Sequence, residues 1–172
     1  QAIWVETLKF RRSKVPLLTG LGFLLVPLMG GFFMVILQDP EFAKQVGLIS
    51  ANAQLMAGVA DWPTFLELLA QATAIGGLIL FSLIGSWIFG REFSDHTIKD
   101  LLALPTSRST IVSAKFVVIA GWSIALIAMI YLVGLGVGFA VDLPQVPPHI
   151  IAEGSIMLAI TAVLTIATVM PI

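Results

Sequence analysis

The chain has 172 residues and a formal net charge of -1, and 58% of its residues are hydrophobic while only 11% are charged. An average soluble domain is about 45–50% apolar and about 25% charged, so this composition excludes a soluble enzyme domain and a disordered chain. The chain contains no cysteine, which excludes a disulfide-stapled secreted module and a cysteine-ligated metal site. We therefore predict an integral membrane protein, an all-α polytopic bundle of transmembrane helices.

The first predicted element is a short interfacial helix over 1–14. At about 100° per residue, we expect the apolar and polar side chains to collect on opposite sides of it. The apolar set is Ile3, Trp4, Thr7, Leu8 and Phe10, and the polar set is Glu6, Lys9, Arg12 and Ser13. Arg11 falls among the apolar set and would extend toward lipid phosphates. The alternative is a basic anchor that has no partner.

Four apolar segments are predicted to cross the membrane within a single transmembrane domain. At about 1.5 Å rise per residue, each is long enough for a hydrocarbon core about 30 Å thick. The spans are 15–37, 68–90, 116–141 and 154–172. The fourth stops at the chain end without a polar flank and the chain starts with Gln, so we interpret it as a fragment of a longer protein.

Two connections are predicted on the exterior side. The loop 38–67 contains Pro40 and Pro63, and its length suggests either a helical linker on the outer leaflet or a lid over a substrate path. The turn 142–153 contains three prolines and is therefore expected to be short and stiff.

The basic residues predict the orientation. Eight of them lie before the first span or between the second and third spans, and only Lys44 lies elsewhere; the eight are Lys9, Arg11, Arg12, Lys14, Arg91, Lys99, Arg108 and Lys115. Because Lys and Arg near span ends are retained on the cytoplasmic side, we expect the N-terminus and the loop 91–115 to be cytoplasmic, in the cell (inner) membrane.

The cytoplasmic loop 91–115 is expected to be a rigid coupling element. Its first part, 92–104, is predicted to be a short helix, which Ser94 or Asp95 can cap and which Pro105 ends. Its apolar edge consists of Ile98, Leu101 and Leu102. After Pro105, the residue Thr106, Ser107 or Ser109 can cap the helix that becomes the third span.

Two segments carry a pattern typical of one family. Before the first span, a Trp is followed by basic residues, at Trp4, Lys9, Arg11 and Arg12. In the cytoplasmic loop, the matching residues are Glu92, Thr97, Leu101, Leu102, Pro105, Arg108 and Lys115. These patterns resemble the membrane subunits of type-2 ABC exporters, in which a separate ATPase drives a dimeric permease. His96 departs from the family, which often has Gly there, and four of the family's six spans are present.

The resemblance implies a permease without its own ATPase site. ATP and Mg would belong to the partner ATPase, and a second permease copy would complete a homodimer in the lipid bilayer. The residues implied to couple to the ATPase are Glu92, Thr97, Leu101, Leu102, Pro105 and Arg108, together with the interfacial helix and its Trp4, Lys9, Arg11 and Arg12. A drug, peptide or lipid of amphipathic or hydrophobic character would be the exported substrate.

Residue patterns for other chemistry are not found. The chain contains no Gly-x-x-x-x-Gly-Lys phosphate loop, which excludes its being the ATPase, and we predict no catalytic residue. His96 and His149 fall on opposite sides of the predicted membrane, so we predict no metal site. The first three spans contain no ionisable residue, which disfavours a proton- or sodium-coupled transporter. An ATP-independent transporter or channel, and a membrane anchor or sensor that recruits a soluble partner, remain the alternatives.

Overall fold

A computed structural model describes residues 2–39, 59–94 and 108–169. Within these ranges every regular element is an α-helix: α1 (Ala2–Arg11), α2 (Val15–Gln38), α3 (Trp62–Ser94), α4 (Arg108–Ala140) and α5 (Pro148–Val169). Helices α2 to α5 are each long enough and apolar enough to cross a membrane. The predicted all-α bundle with four helices of membrane-spanning length is confirmed.

The joint between α1 and α2 is formed by Ser13. Its hydroxyl donates a 2.7 Å hydrogen bond to the carbonyl of Phe10 and accepts a 3.3 Å bond from the backbone N–H of Val15. The Phe10 carbonyl also accepts a 3.0 Å hydrogen bond from the backbone N–H of Ser13, so Ser13 closes the end of α1 with two bonds and supplies an acceptor for an N–H at the start of α2. Pro16 follows in the first turn of α2, where its missing N–H costs nothing.

The helices extend beyond the charge-free segments of the sequence. Helix α3 already begins at Trp62, where the Asp61 carboxylate accepts a 2.9 Å bond from the backbone N–H of Thr64. Helix α4 starts at Arg108, ahead of the predicted third span and between Ser107 and Ser109, two of its predicted caps, and α5 starts at Pro148. The predicted spans are shorter than the helices because a charge-free run marks only the part of a helix that lies in the bilayer interior. The helix itself continues into polar surroundings until a cap or a proline ends it.

Helix α3 contacts each of the other long helices. It packs on α2, α4 and α5, while α2 also packs on α4, and α1 lies against α4 and α2. In the core, the rings of Phe23 on α2 and Phe81 on α3 stack with their centroids 5.3 Å apart. Met34, Phe65, Ile84 and Ile130 are fully buried members of the same core.

Glycines allow close approach at the end of the bundle opposite α1. A Cβ placed on Gly138 of α4 would lie 2.5 Å from Cη2 of Trp62, and one on Gly31 of α2 would collide with Val137. The Trp62 ring is buried between Phe65 and Phe139, at centroid distances of 6.3 and 5.0 Å, so it has little room to move. Hence α3 and α4 fit together here only because position 138 has no side chain.

Gly138→Ala should destabilise the bundle, whereas Gly136→Ala should not. The first substitution drives a methyl group into Trp62, at a cost of about 1–3 kcal/mol for overpacking. A Cβ on Gly136 meets nothing within 4 Å, so its variant should stay within about 0.5 kcal/mol of the parent protein. Thermal unfolding of the detergent-solubilised protein measures the difference, and equal melting temperatures for the two variants would contradict this packing.

Candidate functional site

The candidate site is the end of the bundle that carries α1. We call it the basic end, defined by α1, the first turns of α2 and α4, and the last turns of α3. Lys9, Arg11, Arg12, Lys14 and Lys115 all belong to this end, and Arg91 joins them from α3. Helix α1 meets the long helices there through an ion pair, an aromatic cluster and an arginine contact.

A carboxylate on α1 is paired with a buried ammonium on α4. The Glu6 side chain is 11% exposed, and its Oε2 lies 3.4 Å from Nζ of Lys115, whose side chain is 4% exposed. Lys115 also donates a 3.0 Å hydrogen bond to the carbonyl of Ile88 on α3 and lies over the Phe89 ring, 5.8 Å from its centroid. Because a buried charge requires polar partners, Lys115 draws α1 and α3 to the same point of α4.

The same carboxylate also contacts the surface of α1. Oε1 of Glu6 lies 3.1 Å from Nζ of Lys9, one turn along the helix, and the Lys9 side chain is 38% exposed. An exposed pair of this kind adds little stability, since solvent screens it. The contact with Lys115 is therefore the stronger constraint on α1.

Phe10 anchors α1 through aromatic contacts. It is 4% exposed and meets Trp87 of α3 and Trp122 of α4 edge-on, at centroid distances of 6.1 and 5.5 Å. The indole N–H of Trp122 donates a 3.1 Å hydrogen bond to the Thr19 hydroxyl on α2. Phe10 thus sits in a cluster that includes side chains from all three neighbouring helices.

Arg91 connects α3 with the last turn of α1. Its Nη1 donates a 3.1 Å hydrogen bond to the carbonyl of Lys9, and its guanidinium carbon lies 5.2 Å from the centroid of the Trp87 ring. A positive charge at the C-terminus of a helix is favoured by the helix dipole and by unpaired carbonyls. Arg91 therefore stabilises α1 in its docked position.

The predicted faces of α1 are corrected by the structure. Glu6 and Phe10 were placed on opposite sides, which is wrong: they are four residues apart and both point into the bundle. Trp4 and Ile3, expected on the apolar face, are 69% and 50% exposed. At about 100° per residue, positions 6 and 10 are only about 40° apart, at the border between the two predicted faces, so hydropathy and not angle separated them. Hydropathy contains no information about a buried ammonium on another helix that attracts Glu6.

The predicted coupling residues fall mostly outside the described part of the chain. Thr97, Leu101, Leu102 and Pro105 lie there, as does His96. Glu92 belongs to the last turn of α3, and Arg108 is the first residue of α4. Of the predicted interfacial residues, Trp4, Arg11 and Arg12 are exposed and Lys9 contacts Glu6 and Arg91 as described.

Sequence reasoning missed the contacts that dock α1. The ion pair of Glu6 with Lys115 and the contact of Phe10 with Trp122 join residues about a hundred positions apart, for which one sequence offers no direct signal. The spacing of Trp87 and Arg91, one helical turn apart at the end of a span, was the available hint.

The contacts at the basic end are suited to transmit movement between helices. Over the residues that the structure describes, no group of three or more His, Asp or Glu side chains comes close enough together to hold a metal ion. The contacts instead fix α1 simultaneously to α3 and α4 with polar and aromatic groups that have defined geometry. A displacement of α1 would therefore be passed to two long helices.

Comparison with known proteins gives two positive findings. Residues 2–172 match the family model described as ABC-2 family transporter protein. A segment of 46 residues is 37% identical to the bacitracin transport permease protein BCRB of Bacillus licheniformis. This segment covers 27% of the chain and 22% of the relative, so the match spans about a fifth of the relative's length. No solved structure matches the chain.

Glu6→Gln should loosen α1, and adding Lys115→Met should restore much of the loss. The single change leaves the buried ammonium with a weaker acceptor, which we expect to cost about 1–3 kcal/mol. The double variant replaces the buried pair by groups that need no charge compensation, so it should be more stable than Glu6→Gln alone.

Lys9→Met serves as the control for that pair, because its partly exposed contact with Glu6 should be worth less than about 1 kcal/mol. Thermal unfolding and hydrogen exchange of the amides of α1 measure all three variants. If Lys9→Met costs as much as Glu6→Gln, the contact with Lys115 is not the main constraint on α1.

Proposed function

Because the chain belongs to the ABC-2 family of transporter proteins, we propose that it is the membrane permease of an ATP-driven exporter. It is a multi-pass membrane protein and a membrane subunit of this transporter family, which in general works with an ATP-binding partner subunit. In our proposal the separate ATPase binds ATP and Mg and performs the hydrolysis. The permease itself supplies the path and acts as a homodimer.

In the proposed orientation, the protein lies in the cell (inner) membrane and its basic end faces the cytoplasm. The distribution of charge supports it, since Lys9, Arg11, Arg12 and Lys14 belong to that end while acidic residues flank the spans at the other end. The latter are Asp39, Asp61, Asp142 and Glu153. An ATPase that uses cytoplasmic ATP would then reach α1 directly.

The proposed coupling surface has two parts, the outer face of α1 and the segment from Glu92 to Arg108. On α1, Trp4 is 69% exposed and both Arg11 and Arg12 are exposed, so they are available to a partner. In the segment, Thr97, Leu101, Leu102 and Pro105 are the proposed contacts. Its two ends continue directly into α3 and α4, which would carry its movement into the bundle.

One observation supports this coupling more than any other. The inner face of α1 is held by Glu6 and Phe10 against α3 and α4, while its outer face is exposed. A helix attached on one side and accessible on the other is suited to transmit rigid-body displacement from a docked ATPase.

The proposed cargo is an amphipathic or hydrophobic drug, peptide or lipid moved out of the cell. The apolar character of the four long helices supports this class, as their described interior contains few charged groups. The matched relative is named for the transport of bacitracin, which makes bacitracin the first substrate to assay.

The first test is co-purification of the ATPase with the tagged full-length protein from its native membranes. We expect a stoichiometric ATP-hydrolysing subunit in the eluate, and its loss or uncoupling in the Glu92→Ala, Arg108→Ala variant and in Arg11→Ala, Arg12→Ala. Lys14→Ala is the matched basic control, since it lies outside the proposed contacts. A folded protein that purifies without any ATPase would refute the exporter and leave ATP-independent transport or an anchor function.

A second test separates docking from transmission. Phe10→Ala removes the contacts with Trp87 and Trp122 but leaves the outer face of α1 intact, so the ATPase should still bind. We expect bacitracin export per ATP hydrolysed to fall several-fold, because hydrolysis would continue while less of the movement of α1 reaches α3 and α4. Val5→Ala, at a 47% exposed position, should leave this ratio unchanged. An unchanged ratio in a stably folded Phe10→Ala protein would exclude transmission through α1.

A further inference from the structure

Helix α2 contains a proline that deprives one carbonyl in the bundle interior of its usual helical partner. Pro27 is buried inside α2 and has no backbone N–H, so the carbonyl of Phe23, one turn earlier, cannot accept the bond that an α-helix normally provides. Phe23 is buried as well, and its ring stacks on Phe81 of α3. The carbonyl therefore lies on the buried face of α2, where an unpaired polar group is costly.

A hydroxyl on α3 also lacks a partner. Thr73 is fully buried, and its Oγ1 makes no hydrogen bond to any residue that the structure describes. Two other buried threonines of the long helices, Thr19 and Thr165, donate to the carbonyl four residues earlier, at 2.7 and 2.8 Å. Thr73 does not use this bond with its own helix, so its hydroxyl is available to a group outside α3.

The contacts of α2 with α3 define which parts of the two helices face each other. A Cβ on Gly22 of α2 would lie 3.4 Å from Cδ1 of Leu80, and one on Gly30 would lie 3.6 Å from Cδ2 of Leu69. Residue numbers rise along α2 while they fall along α3, so the two helices are antiparallel. Pro27 lies between the two contacts on α2.

Thr73 lies between the same two contacts on α3. It comes four residues after Leu69 and seven before Leu80, and these spacings place all three side chains on one face of the helix. Because Leu69 and Leu80 contact α2, Thr73 lies on the side of α3 that faces α2, at the level of Pro27. A hydroxyl that can donate is thereby brought to the same level of the bundle as a carbonyl that lacks a donor.

We propose that one water molecule binds between α2 and α3 and bridges the Thr73 hydroxyl and the Phe23 carbonyl. The water accepts a hydrogen bond from Thr73 and donates one to the carbonyl, so both buried groups are satisfied. Prolines inside membrane helices are tolerated where threonine side chains and ordered waters supply the bond that the proline removes. The bridge therefore compensates the cost of Pro27 and links α2 to α3 in the apolar interior.

The first test is a double-mutant cycle on the purified full-length protein. Thr73→Val keeps the shape of the side chain but removes the hydroxyl, and we expect it to lower the melting temperature by about 2–4 °C. Pro27→Ala restores the N–H that the Phe23 carbonyl lacks. In that background Thr73→Val should lower the melting temperature by less than about 1 °C, because the carbonyl no longer needs the bridge.

Ser123→Ala is the matched control for the loss of a buried hydroxyl. Ser123 on α4 is the other buried hydroxyl for which the described residues provide no partner. Its neighbour Trp122 bonds Thr19, about two turns before Pro27, so Ser123 lies closer to the basic end than the Phe23 carbonyl does. Removing the Ser123 hydroxyl should leave the melting temperature unchanged or raise it.

Solid-state NMR in lipid bilayers observes the carbonyl directly. Phenylalanine labelled with ¹³C at the carbonyl and leucine labelled with ¹⁵N select Phe23 and Phe65, the two phenylalanines that precede a leucine. We expect magnetisation transfer from water to the Phe23 carbonyl in the parent protein and its loss in Thr73→Val and in Pro27→Ala. Transfer to Phe65 serves as the reference and should be the same in all three proteins.

Three results would overturn the proposal. They are a Thr73→Val protein that is at least as stable as Ser123→Ala, an equal effect of Thr73→Val in the parent and Pro27→Ala backgrounds, and the absence of transfer from water to the Phe23 carbonyl. The second result would assign the hydroxyl to a bond that does not involve the proline. None of these measurements requires an ATPase, so their outcome is independent of whether the chain is an exporter permease.

Discussion

The buried ammonium of Lys115 is the constraint on which the basic end depends. A charge removed from water must be compensated by nearby polar groups, and the carboxylate of Glu6 and the carbonyl of Ile88 supply that compensation from two other helices. The geometry that satisfies Lys115 therefore also determines where α1 lies relative to α3 and α4. Phe10 and Arg91 then add apolar and polar contacts that are possible only in that position.

The two ends of the bundle are stabilised by different kinds of interaction. At the basic end, charges and indole rings join α1 to the long helices, whereas the opposite end relies on close packing at glycines such as Gly138. There a polar contact crosses the bundle as well, from the Gln38 amide to the carbonyl of Val141 at 3.1 Å. Close-packed helices deform little, so in the proposed mechanism movement imposed at the basic end would displace them as rigid bodies.

The sequence by itself determined the class of protein, because membrane spans are a property of local composition. A run of about twenty apolar residues must be helical in a bilayer, where each backbone polar group requires a partner within the segment. For the same reason the four long helices could be predicted, and α4 starts at Arg108, between two of its predicted caps. The starts of α3 at Trp62 and of α5 at Pro148 were not predicted, since they depend on caps and on polar surroundings.

The tertiary structure decided which residues form the basic end. The sequence placed Lys115 just outside the third predicted span and Glu6 on a polar face, and nothing local indicated that they meet. Their contact, and that of Phe10 with Trp122, joins positions about a hundred residues apart. A helical wheel or a charge count describes each segment in isolation, whereas the burial of a charge is a property of the packed bundle. Only the packing of α1 against α4 made Lys115 a buried group that needed Glu6.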